Sequence, residues 1–270
     1  MPIFGGKQQQ TEPTGIPKEA TDRLQGGPAT SDLSVDELVC LEQLGYDPLG
    51  LVLGSSIYHI GWQRIRTNKN EELQIISKAM YDARRQAITR MEQEAHVLGA
   101  DGIVGVHMAI TRRDWGPDLL EFLFLGTAIR GRNEGEGGRP AHGWPFSSDL
   151  SGQDFWKLRM AGFKPVRLVI GSCVYHVSVQ SLGQWFRELG GSTEHVPLTL
   201  GTYAARELAM ARMEAECTQF GGTGVTAVKV TEVNNGWGSH IIEFFAVGTA
   251  IIKDKPAGEL HPTMVVSLDG

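Results

Sequence analysis

Two histidines recur in matched settings along this chain. His59 closes the run Gly54-Ser55-Ser56-Ile57-Tyr58-His59, and His176 closes Gly171-Ser172-Cys173-Val174-Tyr175-His176. A glycine inside an otherwise strand-like run marks a bulge or a close approach of backbone to a neighbour or ligand. Two uses follow from glycine, serine, tyrosine and histidine on one strand end. They would line a small polar pocket, or the Tyr and His would pack where two similar units meet; the second is the simpler and is preferred. Glu121 and Glu243 also match. They would accept hydrogen bonds from such histidines, or be the charged residues at the first exposed position after a hairpin.

A His–Glu pair is the general acid–base chemistry these residues offer. The sequence has no G-x-S-x-G elbow, no G-x-x-x-x-G-K-[ST] phosphate loop and no H-E-x-x-H. The glycines of Gly99-Ala100-Asp101-Gly102 lead out of a helix into a strand, the reverse of a dinucleotide fingerprint. A thiolate metal site needs several Cys or His converging at ~2.0–2.3 Å from the ion. Cys40, Cys173 and Cys217 correspond to Lys157, Ser56 and Ala95, so no cysteine recurs, and no CxxC occurs. Cys217 reads as a small buried hydrophobe. The expectation is a protein without enzymatic activity, cofactor or cysteine metal site.

These matches belong to a larger repeat, which sets the fold unit. An offset of 122 aligns Ala83, Arg84, Ala87, Arg90, Met91, Glu92, Glu94, Gly99 and Gly102 with Ala205, Arg206, Ala209, Arg212, Met213, Glu214, Glu216, Gly221 and Gly224. It also aligns Glu121–Ile129 with Glu243–Ile251, and Trp115 with Trp237 at two hairpin tips. Earlier segments align at 117: Ser31-Asp32-Leu33-Ser34 with Ser148-Asp149-Leu150-Ser151. A Ser or Asp before a short amphipathic run, with Gly45 or Gly162 after it, is a helix with its cap and stop. Pro48 and Pro165 then launch extended segments. Met80, Ala83, Ala87, Met91, Ala95 and Leu98 step by three or four along one face of a long helix. Arg90/Glu94 and Arg212/Glu216 are read as i,i+4 surface pairs, and Gly99 and Gly221 as C′ stops.

Each repeat is therefore a short helix followed by β-α-β-β, an α+β unit whose antiparallel three-stranded sheet carries one long helix. In the last strand Phe122 and Phe124 point to one face, Leu123 and Leu125 to the other. One helix covers one face. The second must pack on the partner repeat or on another chain, because an exposed apolar sheet face is an aggregation liability. A homo-oligomer follows.

The expected organisation is a flexible arm over 1–30, repeat 1 over 31–130, a Gly- and Pro-rich linker over 131–147, repeat 2 over 148–252 and a tail over 253–270. Met264-Val265-Val266 in the tail would add a strand to a sheet edge, and arm and tail are candidate partner contacts. A net charge of −6 with interspersed signs argues against a nucleic-acid face. No run approaches ~18 apolar residues and no leader stands at the N-terminus, so a cytoplasmic protein is expected. Three cysteines in 270 residues do not build a disulfide framework.

The Ala-rich helix, the run Leu98-Gly99-Ala100-Asp101-Gly102-Ile103-Val104-Gly105 and the strand end Gly126-Thr127-Ala128 resemble the YbjQ-like family, which carries a heavy-metal-binding label. The second copy keeps Gly221-Gly222-Thr223-Gly224 and Gly248-Thr249-Ala250 without the aspartate. The resemblance spans about residues 50–130 and 167–252. It implies a dodecin-subunit-like fold that assembles into rings, pentameric in single-domain members. The candidate ligand or interface residues are thus Gly54, Ser55, Tyr58, His59 and Glu121 with Gly171, Ser172, Tyr175, His176 and Glu243. Trp115 and Trp237 are candidate interface residues at the hairpin tips. The expected function is a ring-forming, non-enzymatic scaffold; the alternative is a small-molecule or metal binder with pockets at repeat or subunit boundaries.

Overall fold

A computed structural model describes residues 16–59, 70–112, 119–132, 143–177, 196–233 and 240–256. Among them are five helices and two sheets, an α+β molecule. The first half runs α1 (Lys18–Gly26), α2 (Val35–Gln43), β1 (Tyr46–His59), β2 (Glu71–Glu72), α3 (Gln74–Val97), β3 (Gly102–Arg112) and β4 (Leu119–Gly131). The second runs β5 (Phe146–Ser147), α4 (Gly152–Met160), β6 (Phe163–His176), α5 (Val196–Gln219), β7 (Gly224–Val233) and β8 (Ile241–Lys253).

Local chemistry sets the helix ends. Ser34 accepts from the Glu37 N–H while the Glu37 carboxylate accepts from the Ser34 N–H, a reciprocal capping box that starts α2. Ser151 accepts from the Asp154 N–H at the start of α4. Gly45, Gly99, Gly162 and Gly221 stand past the ends of α2, α3, α4 and α5 with φ of 74°, 65°, 79° and 78°, where an L side chain would be strained.

Sheet 1 has the order β1-β4-β3-β5 and sheet 2 the order β2-β6-β8-β7. The long strands are antiparallel, β1 with β4 and β6 with β8, each slipping register at its proline, Pro48 or Pro165. Each sheet has a fourth, two-residue strand besides the three expected. Phe146–Ser147, at the end of the presumed linker, runs parallel to β3. It is held because Phe146 packs with Leu41, Tyr46, Val104 and Phe155, joining α2 and α4 at one end of sheet 1. Glu71–Glu72, from the first half, pairs with Tyr175 and His176 of the second sheet. The arm expected over 1–30 contains α1, tied down by Arg23, which donates to Glu94 at 2.7 Å and to the Leu51 carbonyl at 2.9 Å. At the other end β8 stops at Lys253, and Asp254 pairs with Arg159 and Lys164. Trp115, Trp237 and Met264–Val266 lie outside the described residues.

The layers stack as sheet 1, α3, sheet 2, α5. Ala83, Ala87, Met91 and Ala95 of α3 pack on Val52, Phe122 and Phe124 of sheet 1. The same cluster contains Leu168, Ile170, Val174 and Phe245 of sheet 2, so α3 is covered on both sides. Ala205, Ala209, Met213 and Cys217 of α5 pack on the opposite face of sheet 2, against Val169, Cys173, Phe244 and Ala246. Sheet 2 is thus covered on both faces by 24-residue helices, whereas sheet 1 has one such helix.

Candidate functional site

Strand alternation separates the residues singled out on β1 and β6. Gly54 and Tyr58 face α3, while Ser55 and His59 stand on the outer side of sheet 1. In sheet 2, Gly171 and Tyr175 face α5, and Ser172 and His176 face α3. One pocket lined by glycine, serine, tyrosine and histidine together therefore does not form, because successive side chains leave a strand on opposite faces.

What the structure gathers is a polar seam between α3 and sheet 2. Arg84 is fully buried and donates to Glu243 at 2.5 Å and to Ser172 at 3.2 Å. Ser172 also donates to Glu243, at 3.0 Å. The Arg84 guanidinium lies between Phe122 of sheet 1, 4.8 Å away, and Phe245 of sheet 2, 4.3 Å away. Its Nε and Nη2 make no hydrogen bond with the described residues. One turn along, Tyr81 donates to Glu216 at 2.6 Å, Arg85 pairs with Glu216 at 2.5 Å, and Glu216 accepts the Ile170 N–H at 2.6 Å. Ser77 bonds both the N–H and the carbonyl of Val174. Burial and the Glu216 contact hold the Tyr81 hydroxyl above its ordinary pKa.

The outer face of sheet 1 repeats half of this seam. Ser55, Glu121, Leu53 and Glu94 take the places of Ser172, Glu243, Ile170 and Glu216. Glu94 accepts the Leu53 N–H at 2.9 Å and pairs with Arg23, and burial pushes its carboxyl up. Arg23 also reaches the Leu51 carbonyl, as Arg85 reaches that of Leu168. A groove of about 320 Å³ between α3 and α5, lined by Ser77, Tyr81, Ser172, Arg212 and Glu216, is matched by one of about 220 Å³ between α1 and α3, lined by Ile16, Ala20, Ser55, Arg90 and Glu94. Arg90 and Arg212 donate to the carbonyls of Ser55 and Ser172, each at 2.6 Å. These two arginines, read from sequence as partners of Glu94 and Glu216, tie α3 to β1 and α5 to β6 instead.

Arg84, Tyr81 and Ser77 escape the sequence reading because they lie on the far side of a helix whose apolar stripe identifies only one covered face. Their signal is the repeat: a polar set, Ser77-Tyr81-Arg84, returns as Thr199-Tyr203-Arg206.

Residues 49–132 match the family model YbjQ_1, described as "Putative heavy-metal-binding". The encapsulin nanocompartment protein Rv1762c of Mycobacterium tuberculosis is 41% identical over 240 residues, 89% of this chain and 92% of that protein. UPF0145 proteins of Methanococcus vannielii and Halorubrum lacusprofundi are each 37% identical, over 86 and 90 residues, or 80% and 84% of their lengths. The chain belongs to the YbjQ-like family.

The family's metal description can be tested on the donors this YbjQ-like chain carries. Among the described residues no three His, Cys, Asp or Glu side chains gather where they would hold an ion. Burial pushes the Cys173 thiol up to about 12, away from the thiolate a soft metal binds. The Cys217 thiol is buried too, its Sγ directed at the Gly224 carbonyl 3.4 Å away, and burial raises it and the half-buried Cys40. The described residues thus do not fit a thiolate metal centre. Alkylation of the native protein at pH 8 is expected to modify Cys40 first, with Cys173 reacting at least about tenfold more slowly until the chain is unfolded. Rapid labelling of Cys173, read by peptide mass spectrometry, would contradict its burial. Among the described residues no helix is long and apolar enough to cross a membrane.

Proposed function

We propose that this chain is a homo-oligomeric, non-enzymatic assembly module: a tandem duplication of one β-α-β-β unit that forms a cytoplasmic ring and serves as a structural part of a larger protein compartment. The observation that carries the reading is the unequal cover of the two sheets. Sheet 2 lies between α3 and α5, while the outer face of sheet 1 presents Leu51, Leu53, Leu123 and Leu125 only half-buried and Ile57 47% exposed. α5 in turn shows an uncovered side with Tyr203 52% exposed. Apolar surface of this kind is stabilised by association. The relative named as an encapsulin nanocompartment protein, similar over nearly its whole length, supports a role in assembly. The names of the similar proteins describe no enzyme activity.

Native mass spectrometry of the purified protein, with and without zinc or cadmium, tests the reading. The expected result is one defined multiple of 29.5 kDa, five being the ring size that the family resemblance implies, with no stoichiometric added mass. A monomer at micromolar concentration would overturn it. An oligomer carrying one metal per chain would replace the scaffold by a metal-binding function at subunit boundaries.

A further inference from the structure

We infer that the outer side of α5 in one copy docks on the outer face of sheet 1 in the next, taking the place α3 takes on sheet 2, and that α1 holds this place in the isolated chain. The inference rests on the homo-oligomer reading and names its interface.

The chain itself supplies the template. One sheet-and-helix unit already packs on another: α3 presents Ser77, Tyr81 and Arg84 to β6, β8 and the neighbouring side of α5, where they meet Val174 of β6, Glu216 of α5, Ser172 of β6 and Glu243 of β8. Repeating that step once more brings α5 of one copy to sheet 1 of another. The chemistry is retained on both sides of the new contact. Thr199, Tyr203 and Arg206 stand for Ser77, Tyr81 and Arg84; Ile57, Glu94, Ser55 and Glu121 stand for Val174, Glu216, Ser172 and Glu243. Within one copy the helix side of this set is open to solvent, with the Arg206 side chain 42% exposed and stacked on Tyr203. On the sheet side Ser55 is exposed. Arg206 arriving beside Ser55 and Glu121 completes a cation–carboxylate–hydroxyl group of the kind buried around Arg84. A contact of this type joins different surfaces of the two copies, so it propagates head to tail and closes into a ring when the rotation allows.

α1 occupies this site in cis. It lines the small groove with Ala20, and with Ile16 just before its first turn, where α3 lines the larger one with Ser77 and Tyr81, and its Arg23 makes the contacts of Arg85. It is a weak occupant: nine residues, none of them buried. At one position the incoming helix is mismatched, since Glu207 stands where α3 has Arg85 and would meet Glu94. The contact therefore competes with α1 and is open to strengthening at a named residue.

The test uses full-length chains. In a Cys40→Ser background, Ile57→Cys and Thr199→Cys are combined and treated with a short bismaleimide; covalent dimers and higher multimers are expected, and neither single variant gives a ladder. Arg206→Glu and Glu121→Arg are each expected to weaken assembly at least about 30-fold by native mass spectrometry, and the double exchange to restore it to within about threefold. Glu207→Arg and Arg23→Ala are expected to tighten it several-fold, with each variant's circular dichroism unchanged. A wild-type oligomer that neither cross-links through this pair nor responds to the charge exchange overturns the interface while leaving the assembly reading intact. A wild-type monomer overturns both. Tightening by Glu207→Arg without tightening by Arg23→Ala overturns the role of α1.

Discussion

Replacing Arg84 by Met is expected to lower the free energy of unfolding by about 3–5 kcal/mol, the cost of leaving one member of a buried ion pair without the other. Both side chains of the Arg84–Glu243 pair are fully buried, at 2.5 Å separation. With Arg84 gone, Glu243 keeps its place on β8 between two layers that water does not reach, with Ser172 beside it. The methionine also loses the cation's contact with the rings of Phe122 and Phe245, although it fills much of the same volume. Replacing both members, Arg84→Met with Glu243→Leu, is expected to recover most of the loss, because apolar residues of similar volume substitute for a buried pair at little cost. Urea unfolding of the two single variants and the double variant gives the coupling directly. A loss below about 1 kcal/mol for Arg84→Met would show that this seam is open to solvent. The pair joins the two halves, so its loss is also expected to weaken their coupling, read as a broader urea transition than that of the parent.

Gly54→Ala and Gly171→Ala are each expected to cost about 2–3 kcal/mol, with Gly26→Ala near zero as the control. A Cβ on Gly54 would lie 2.0 Å from the Ala87 carbonyl oxygen and 2.4 Å from the Met91 nitrogen. On Gly171 it would lie 1.9 Å from the Ala209 carbonyl oxygen. At Gly26 it would meet nothing within 4 Å. The obstacle at both strand positions is helix backbone, which no rotamer change relieves. The helix must lift from its sheet and open the contacts of Met91 or Met213 with it. Thermal unfolding of the three variants measures this. A change under about 0.5 kcal/mol at Gly54 or Gly171 would mean that the long helix sits farther from its strand than the structure places it.

The same glycines show how far the sequence could be read. A glycine in a strand and alanines at the same level of a helix are two local facts, visible separately in Gly54 and Ala87 or Gly171 and Ala209. Their meeting is a close helix–strand crossing. The alternation of Phe122 and Phe124 with Leu123 and Leu125 was likewise legible, and it requires that both faces of the sheet find cover. The cover itself was not legible. Ser77, Tyr81 and Arg84 have the composition of a solvated helix side, and only the stacking of α3 on sheet 2 makes that side an interior. The segment that forms α1 reads as a flexible arm because residues 1–30 are rich in Gln, Gly, Pro and Thr and show no hydrophobic periodicity. Arg23 reaching Glu94 and Leu51, 28 and more residues away, is what seats it.

The sequence by itself determined the elements and their repetition: the capping box at Ser34, the glycine stops, the helical stripe and the strand alternation are all set by residues within a turn or a strand of one another. It also placed the chain in its family. Only the tertiary structure decided which element lies on which. β2 leaves the first half to pair with β6, α3 serves two sheets at once, and the matched polar residues become a buried seam in one place and an open surface in the other. The physical reason is that a side chain's periodicity fixes the face it points to. What waits on that face is set by the closure of the whole chain, where burial turns the same arginine from a surface charge at Arg206 into the centre of an interface at Arg84.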